Sequence, residues 1–151
     1  IIYNHSTRPS IFRGQVTWHY RPLDHRLMAE AATHLLGEHD FTSFRAMSCQ
    51  SKTPLRTIHQ FTVQRREDLI ILDVTANAFL HHMMRNMAGV LMTIGAYQKP
   101  VEWVNEVLAA KDRSLGSITA PPYGLYLVKV SYPERFGIVE PILGPLFLNG
   151  L

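Results

Sequence analysis

The stretch FLHHMMRNMAGVLMTIGA, residues 79–96, is the most apolar segment of the sequence and determines much of its fold. At about 100° per residue, its hydrophobic side chains fall on one broad helical face. That face holds Met83, Met84, Met87, Val90, Leu91 and Ile94. The spacing therefore predicts a helix over residues 80–97 that buries this face against the rest of the protein.

Arg85 carries the one formal charge of this stretch, and its side chain points almost opposite to the apolar face. Its own face, which holds His81, Ala88, Gly89 and Met92, is also poor in groups that favour water. A guanidinium withdrawn from water is costly unless a carboxylate or a phosphate pairs with it. Because no carboxylate lies within a helical turn of Arg85 in the sequence, its partner must come from elsewhere.

The bulk composition fits one globular domain. The 151 residues are 46% hydrophobic, which suffices for one core but not for two domains of ordinary size. The net charge of +3 permits an anionic partner such as nucleic acid without demonstrating one. The single cysteine, Cys49, is interpreted as a small buried hydrophobe of a cytoplasmic protein. The apolar run is shorter than the roughly 20 residues of a membrane span, so no membrane segment is expected.

The first part of the chain reads as two short extended segments, a helix and a loop. The extended segments are residues 1–4 and 16–20. The helix is predicted to begin after an N-cap at Asp24 and to end before Gly37. The following residues, up to about 57, have no sustained period and are rich in Ser and Thr, so they are predicted to form a loop.

The second part begins with an antiparallel hairpin of strands 57–65 and 69–76. In the first strand, alternation places Thr57, His59, Phe61 and Val63 on one face. After the long helix, a shorter helix follows Pro100, and a final strand covers 124–132. These elements predict an α+β fold in which helices pack on one face of an antiparallel or mixed sheet.

Several kinds of catalytic site leave no signature in the sequence. There is no P-loop, no GxGxxG and no GxSxG, which argues against nucleotide-cofactor chemistry and serine hydrolysis. His81 and His82 invite a metal interpretation, but adjacent helical residues diverge by about 100° and no HExxH motif is present. A polar helix start that makes hydrogen bonds is therefore preferred, and no metal site is expected.

Basic and aromatic residues are interleaved in a pattern that suits RNA. Cationic groups neutralise phosphates, and aromatic faces stack on unpaired bases. The residues are Arg45, Lys52, Arg56, Arg85, Lys111 and Arg113, with Phe41, Phe44, Tyr123 and Tyr126. A solvated rim over a hydrophobic core explains the same residues, so composition alone leaves both interpretations open; Phe41 and Phe44 are expected to be mainly structural.

Four segments in order resemble the tRNA pseudouridine synthase A family of bacteria. They are DFTSFRA (40–46), NAFLHHMMRNMAGVLMTIGA (77–96), LAAKDRS (108–114) and GLYLVKVSYP (124–133). The resemblance implies a pseudouridine synthase fold built from two ferredoxin-like halves that flank a basic cleft. It also implies a cytoplasmic homodimer that converts uridines of the tRNA anticodon stem-loop to pseudouridine without a cofactor.

The family's nucleophilic aspartate lies in a Gly-Arg-Thr-Asp-Ala-Gly-Val-His motif that this sequence lacks. The resemblance therefore implies that residues 1–151 are a C-terminal domain, inactive alone. Within it, residues 1–20 enter as strands and a connector, 21–133 form the main body, and 134–151 form a tail that packs on the domain.

The resemblance also implies roles for individual residues. Arg85 would pair with the absent aspartate, and Gly124 and Leu125 would line the uracil pocket. The expected RNA-binding residues are Arg45, Lys52, Arg56, His81, His82, Lys111 and Arg113. The alternatives are a non-catalytic RNA-binding domain that works alone and a metal-dependent hydrolase that uses His81 and His82.

Overall fold

A five-stranded mixed sheet forms one layer of the domain. The computed structural model describes residues 1–138 and 144–148. The strands are β1 (Ile2–Asn4), β2 (Thr17–His19), β3 (Gly37–Asp40), β4 (Leu55–Arg66) and β5 (Leu69–Ala76). Their spatial order is β2-β1-β5-β4-β3; β1 and β2 are parallel, and the other neighbours are antiparallel. With three helices packed against this sheet, the prediction of an α+β fold is confirmed.

The predicted hairpin is formed by β4 and β5, which pair from Ile58 with Ala76 to Arg66 with Leu69. The predicted alternation in β4 is wrong at its start, because the register shifts between Ile58 and Gln60. A β-bulge of this kind sets two residues of one strand against one of its partner, so the side chains after it change face. As a result Ile58 joins Phe61 and Val63 in the core, and His59 is exposed.

The three helices are α1 (His25–Thr33), α2 (Met83–Gly95) and α3 (Trp103–Ala110). The N-cap of α1 is confirmed, since the Asp24 carboxylate accepts a hydrogen bond of 2.8 Å from the backbone N–H of Arg26. The prediction that α1 continues up to a C-terminal cap at Gly37 is wrong. The helix ends at Thr33, and Gly37, with a φ of +90°, begins β3.

The core lies between α1, α2 and the inner face of the sheet. Its members include Met28, Ala32, Leu35, Phe41, Phe44, Ile58, Phe61, Met83, Met87, Leu91 and Ile94. The predicted apolar face of α2 is confirmed, except that Met84 is only half-buried. Phe41 and Phe44 are fully buried in edge-to-face contact, so they act as structural anchors and are not available to stack on a base.

The strand predicted for residues 124–132 is absent, since none of the described strands pairs with this segment. Several of its apolar residues are exposed, including Leu127 by 80% and Val130 by 53%. High β-propensity produces a strand only where a sheet edge supplies hydrogen-bond partners.

The tail is described in part. The Phe147 ring lies 5.0 Å from the ring of Phe12, centre to centre, so residues 144–148 contact the start of the domain. Residues 139–143 and 149–151, which include Ile142 and Leu143, lie outside the described residues. In the described part of the chain, no helix combines the length and apolar character needed to cross a membrane.

Candidate active site

Helix α2 begins beside a loop that follows the first 3₁₀ turn, Thr42–Phe44. The His81 carbonyl accepts a hydrogen bond of 3.0 Å from the Ala46 N–H, and the His81 N–H donates to Cys49 Sγ at 3.4 Å. His81 Nδ1 also lies 3.3 Å from the Ser48 hydroxyl. These contacts favour the interpretation of His81 as part of a hydrogen-bonded helix start.

His81 and His82 lie next to each other at the start of α2. Their rings are 4.0 Å apart, and no third histidine, cysteine or carboxylate of the described ranges completes a group that could hold a metal ion. Partial burial lowers the pKa of His82, and the positive charges of His81, Arg85 and Arg113 lower it further. The lowered pKa favours the neutral form of His82, and Arg85 and Arg113 carry the permanent positive charge beside it.

Cys49 is half-buried and packs against the core, where the sequence predicted full burial. Its pKa is lowered, chiefly because the backbone N–H groups of Ser51 and His81 point at the sulfur. The Arg45 guanidinium donates to the carbonyls of Cys49 and Ser51, at 2.8 Å each, and thereby closes this loop.

Arg85 is half-buried and is held against residue 120. Its Nε donates a hydrogen bond of 2.7 Å to the Ala120 carbonyl, and its own carbonyl accepts one of 3.1 Å from the Ala120 N–H. Within residues 1–138 and 144–148, the ion pair that forms is Lys111 with Asp40, and Arg85 has no carboxylate partner. The guanidinium of Arg85 is thus held in one orientation, but no carboxylate of the described residues neutralises its charge.

Residues 117–120, here called the strap, run along α2 and hold Arg85 in place. Gly89 makes this close approach possible, because a Cβ there would lie 2.0 Å from the Ile118 carbonyl oxygen. One turn further on, the Thr93 and Ser117 hydroxyls are 2.6 Å apart. The strap was not predicted from the sequence; the glycine in the middle of an apolar helix is the signal that could have indicated it.

The strap continues to the predicted uracil-pocket residues. The Thr17 hydroxyl of β2 donates to the Tyr123 carbonyl at 2.6 Å. Gly124 has a φ of +80°, and a Cβ there would lie 2.9 Å from the Thr17 nitrogen, so only glycine fits this turn. Leu125 is 51% exposed. Gly124 follows Ala120 by four positions in the chain, which limits the distance between their Cα atoms to about 14 Å.

The lysines and arginines that were predicted to bind RNA fall into two groups. Lys52 and Lys111 are exposed at the surface. Arg45, Arg56 and Arg113 turn back on the protein: Arg56 donates to the Thr53 and Leu55 carbonyls, and Arg113 donates to Asn86 and Thr119. The three inward arginines therefore shape loops as well as add positive charge.

The fold and the site define an α+β domain with an oriented, half-buried arginine that has no carboxylate partner among the described residues. The sequence model of the tRNA pseudouridine synthase family matches residues 31–133. The chain is 61% identical over 148 residues to tRNA pseudouridine synthase A of Legionella pneumophila (strain Paris), covering 98% of this chain and 56% of that protein. It is 57% identical over 150 residues to tRNA pseudouridine synthase A of Pseudomonas aeruginosa, covering 99% of this chain and 53% of that protein.

The chain belongs to the tRNA pseudouridine synthase family, as the resemblance of its motifs indicated. A third relative, tRNA pseudouridine synthase A of Coxiella burnetii (strain Dugway 5J108-111), is 51% identical over 148 residues, with 98% of this chain and 57% of that protein covered. The chain thus spans just over half the length of these relatives.

Proposed function

We propose that this chain is the C-terminal domain of a tRNA pseudouridine synthase and carries the arginine side of its active site. The observation that supports this most is the state of Arg85, which is oriented by Ala120 and lacks a carboxylate among the described residues. In the proposed enzyme the nucleophilic aspartate comes from the part of the relatives' length that this chain does not cover.

The reaction is an isomerisation. The bond between ribose C1′ and uracil N1 breaks, the base rotates, and C1′ joins C5; the C5 hydrogen leaves to solvent while N1 gains a proton. Arg85 stabilises the ionised aspartate and orients it, because a nearby cation favours the charged form of a carboxylate. No cofactor or metal is needed for this chemistry.

The proposed substrate is the anticodon stem-loop of tRNA. A uridine must leave the helical stack to reach a pocket of this kind, and we place Gly124 and Leu125 beside the flipped base. Lys52 and Lys111 contact phosphates of the tRNA. The remaining members of the RNA-binding surface support the loops beside these lysines; they are Arg45, Arg56, Arg113, His81 and His82. We further propose that the enzyme is a cytoplasmic homodimer.

The test is tritium release from tRNA labelled at uracil C5, measured with a protein of the relatives' full length. We expect one tritium to be released per modified uridine, and no release from a tRNA whose anticodon stem-loop uridines are replaced by cytidines. Tight tRNA binding without any tritium release would contradict the proposal and favour the alternative, a non-catalytic RNA-binding domain.

A further inference from the structure

Asn86 is a buried polar residue next to Arg85, and its side chain makes three hydrogen bonds. Only 2% of it is exposed. Its Nδ2 donates to the Phe44 carbonyl at 2.7 Å, and its Oδ1 accepts from Arg113 at 3.0 Å and from the Thr119 hydroxyl at 2.7 Å. A buried amide satisfied in this way has one preferred orientation, because any rotation leaves polar atoms unpaired.

Arg113 and Thr119 close this arrangement into a ring. The same Arg113 Nη2 that donates to Asn86 also donates to the Thr119 hydroxyl at 2.7 Å. The three residues come from α2, from the 3₁₀ turn Arg113–Leu115 and from the strap. We call them the Asn86 cluster; it fixes the strap to the helix at one point.

The Asn86 cluster lies next to both residues of the contact between Arg85 and Ala120. Thr119 precedes Ala120, whose carbonyl receives the Arg85 Nε hydrogen bond, and Asn86 follows Arg85 on the helix. A shift of Thr119 must therefore move the acceptor that sets the direction of the Arg85 guanidinium. Catalytic geometry tolerates errors of only about 0.5 Å, so such a shift affects turnover.

We propose that Asn86, Arg113 and Thr119 are positioning residues that aim Arg85 at its carboxylate partner, an inference that rests on the proposed function. Arg113 then acts from inside the protein on the Arg85 side chain, and its contribution to tRNA binding is secondary. The cluster acts on turnover through the contact of Arg85 with Ala120, so its removal lowers kcat and leaves KM for tRNA nearly unchanged.

The experiment compares Thr119→Val, which loses the hydroxyl, with Thr119→Ser, which keeps it. In the full-length protein, tritium release should show a fall in kcat of about 10- to 100-fold for Thr119→Val with KM within threefold of the parent, and recovery in Thr119→Ser. Thr33→Val is the matched control, because the exposed Thr33 hydroxyl also makes one local hydrogen bond, of 2.7 Å, to the Glu30 carbonyl.

A second readout does not depend on activity. In the 151-residue chain, the Arg85 Nε–H should exchange with solvent slowly by NMR, and Thr119→Val should accelerate that exchange at least tenfold while Thr33→Val does not. An unchanged exchange rate, or a kcat within twofold of the parent, would overturn the inference. If the full-length parent releases no tritium, the proposed function fails, and the exchange rate alone still decides the positioning role.

Discussion

Replacement of Arg85 by alanine in the full-length protein should lower kcat by about 10²- to 10³-fold while the Kd for tRNA changes less than tenfold. The reason is the place of this side chain. It is half-buried, its Nε is fixed to the Ala120 carbonyl, and it has no described carboxylate of its own. In the proposed enzyme its positive charge is available to the nucleophilic aspartate, and the ionised form of that aspartate would lose its stabilising cation in the variant. Single-turnover tritium release and filter binding measure the two quantities separately.

Lys52→Ala supplies the contrasting variant. Lys52 is exposed on the loop that borders the site, so a phosphate contact there should affect Kd and its salt dependence more than kcat. If Arg85→Ala loses kcat and tRNA affinity equally, Arg85 binds a phosphate of the tRNA and has no role in catalysis.

Gly89→Ala should lower both stability and turnover, although alanine is the better helix former. A Cβ at residue 89 would lie 2.0 Å from the Ile118 carbonyl oxygen, and a backbone atom of the strap cannot rotate away as a side chain does. The gain of about 1 kcal/mol in helix propensity is smaller than the cost of overpacking, which leaves a net loss of about 1 to 2 kcal/mol in the free energy of unfolding. Because the strap also carries Ala120, kcat should fall about tenfold or more.

Gly95→Ala in the same helix is the matched control. A Cβ there would lie 2.7 Å from Met28 Cγ, 2.8 Å from Met28 Sδ and 3.3 Å from the Asp24 carbonyl oxygen, so it also crowds the core but does not meet the strap. Urea unfolding and tritium release of both variants give the comparison. If Gly89→Ala keeps the kcat of Gly95→Ala, the strap does not control Arg85.

The parts of the fold that the sequence predicts are those with a local signal. The apolar face of α2 repeats at helical spacing over three turns, the hairpin is two β-forming runs around a polar tip, and Asp24 is a typical N-cap. In each case the residues that form the element also carry the pattern, so one sequence suffices.

The parts that it does not predict depend on distant partners. Strand β3, Gly37–Asp40, has the sequence GEHD, without β-forming residues, and exists because β4 offers it hydrogen bonds. Residues 124–132 show the opposite case, because they are rich in β-forming residues but pair with none of the described strands.

The site shows the same division. Arg85 stands out because a lone charge in an apolar helix needs an explanation, and the periodicity indicates that a partner is missing. Asn86, Thr119 and the strap give no comparable signal, because a polar residue beside an arginine looks like surface until the fold buries it. Arg113 is interpreted as a surface cation from its sequence neighbours, and only the structure turns it inward.

The central claim is that this chain supplies the arginine of the active site and not the nucleophile. The most direct measurement is tritium release from uracil-labelled tRNA by the purified 151-residue chain, beside the full-length protein at equal concentration. We expect no release above background from the chain and full turnover from the longer protein. Turnover by the 151-residue chain alone would contradict it, because the nucleophile would then have to lie within these residues.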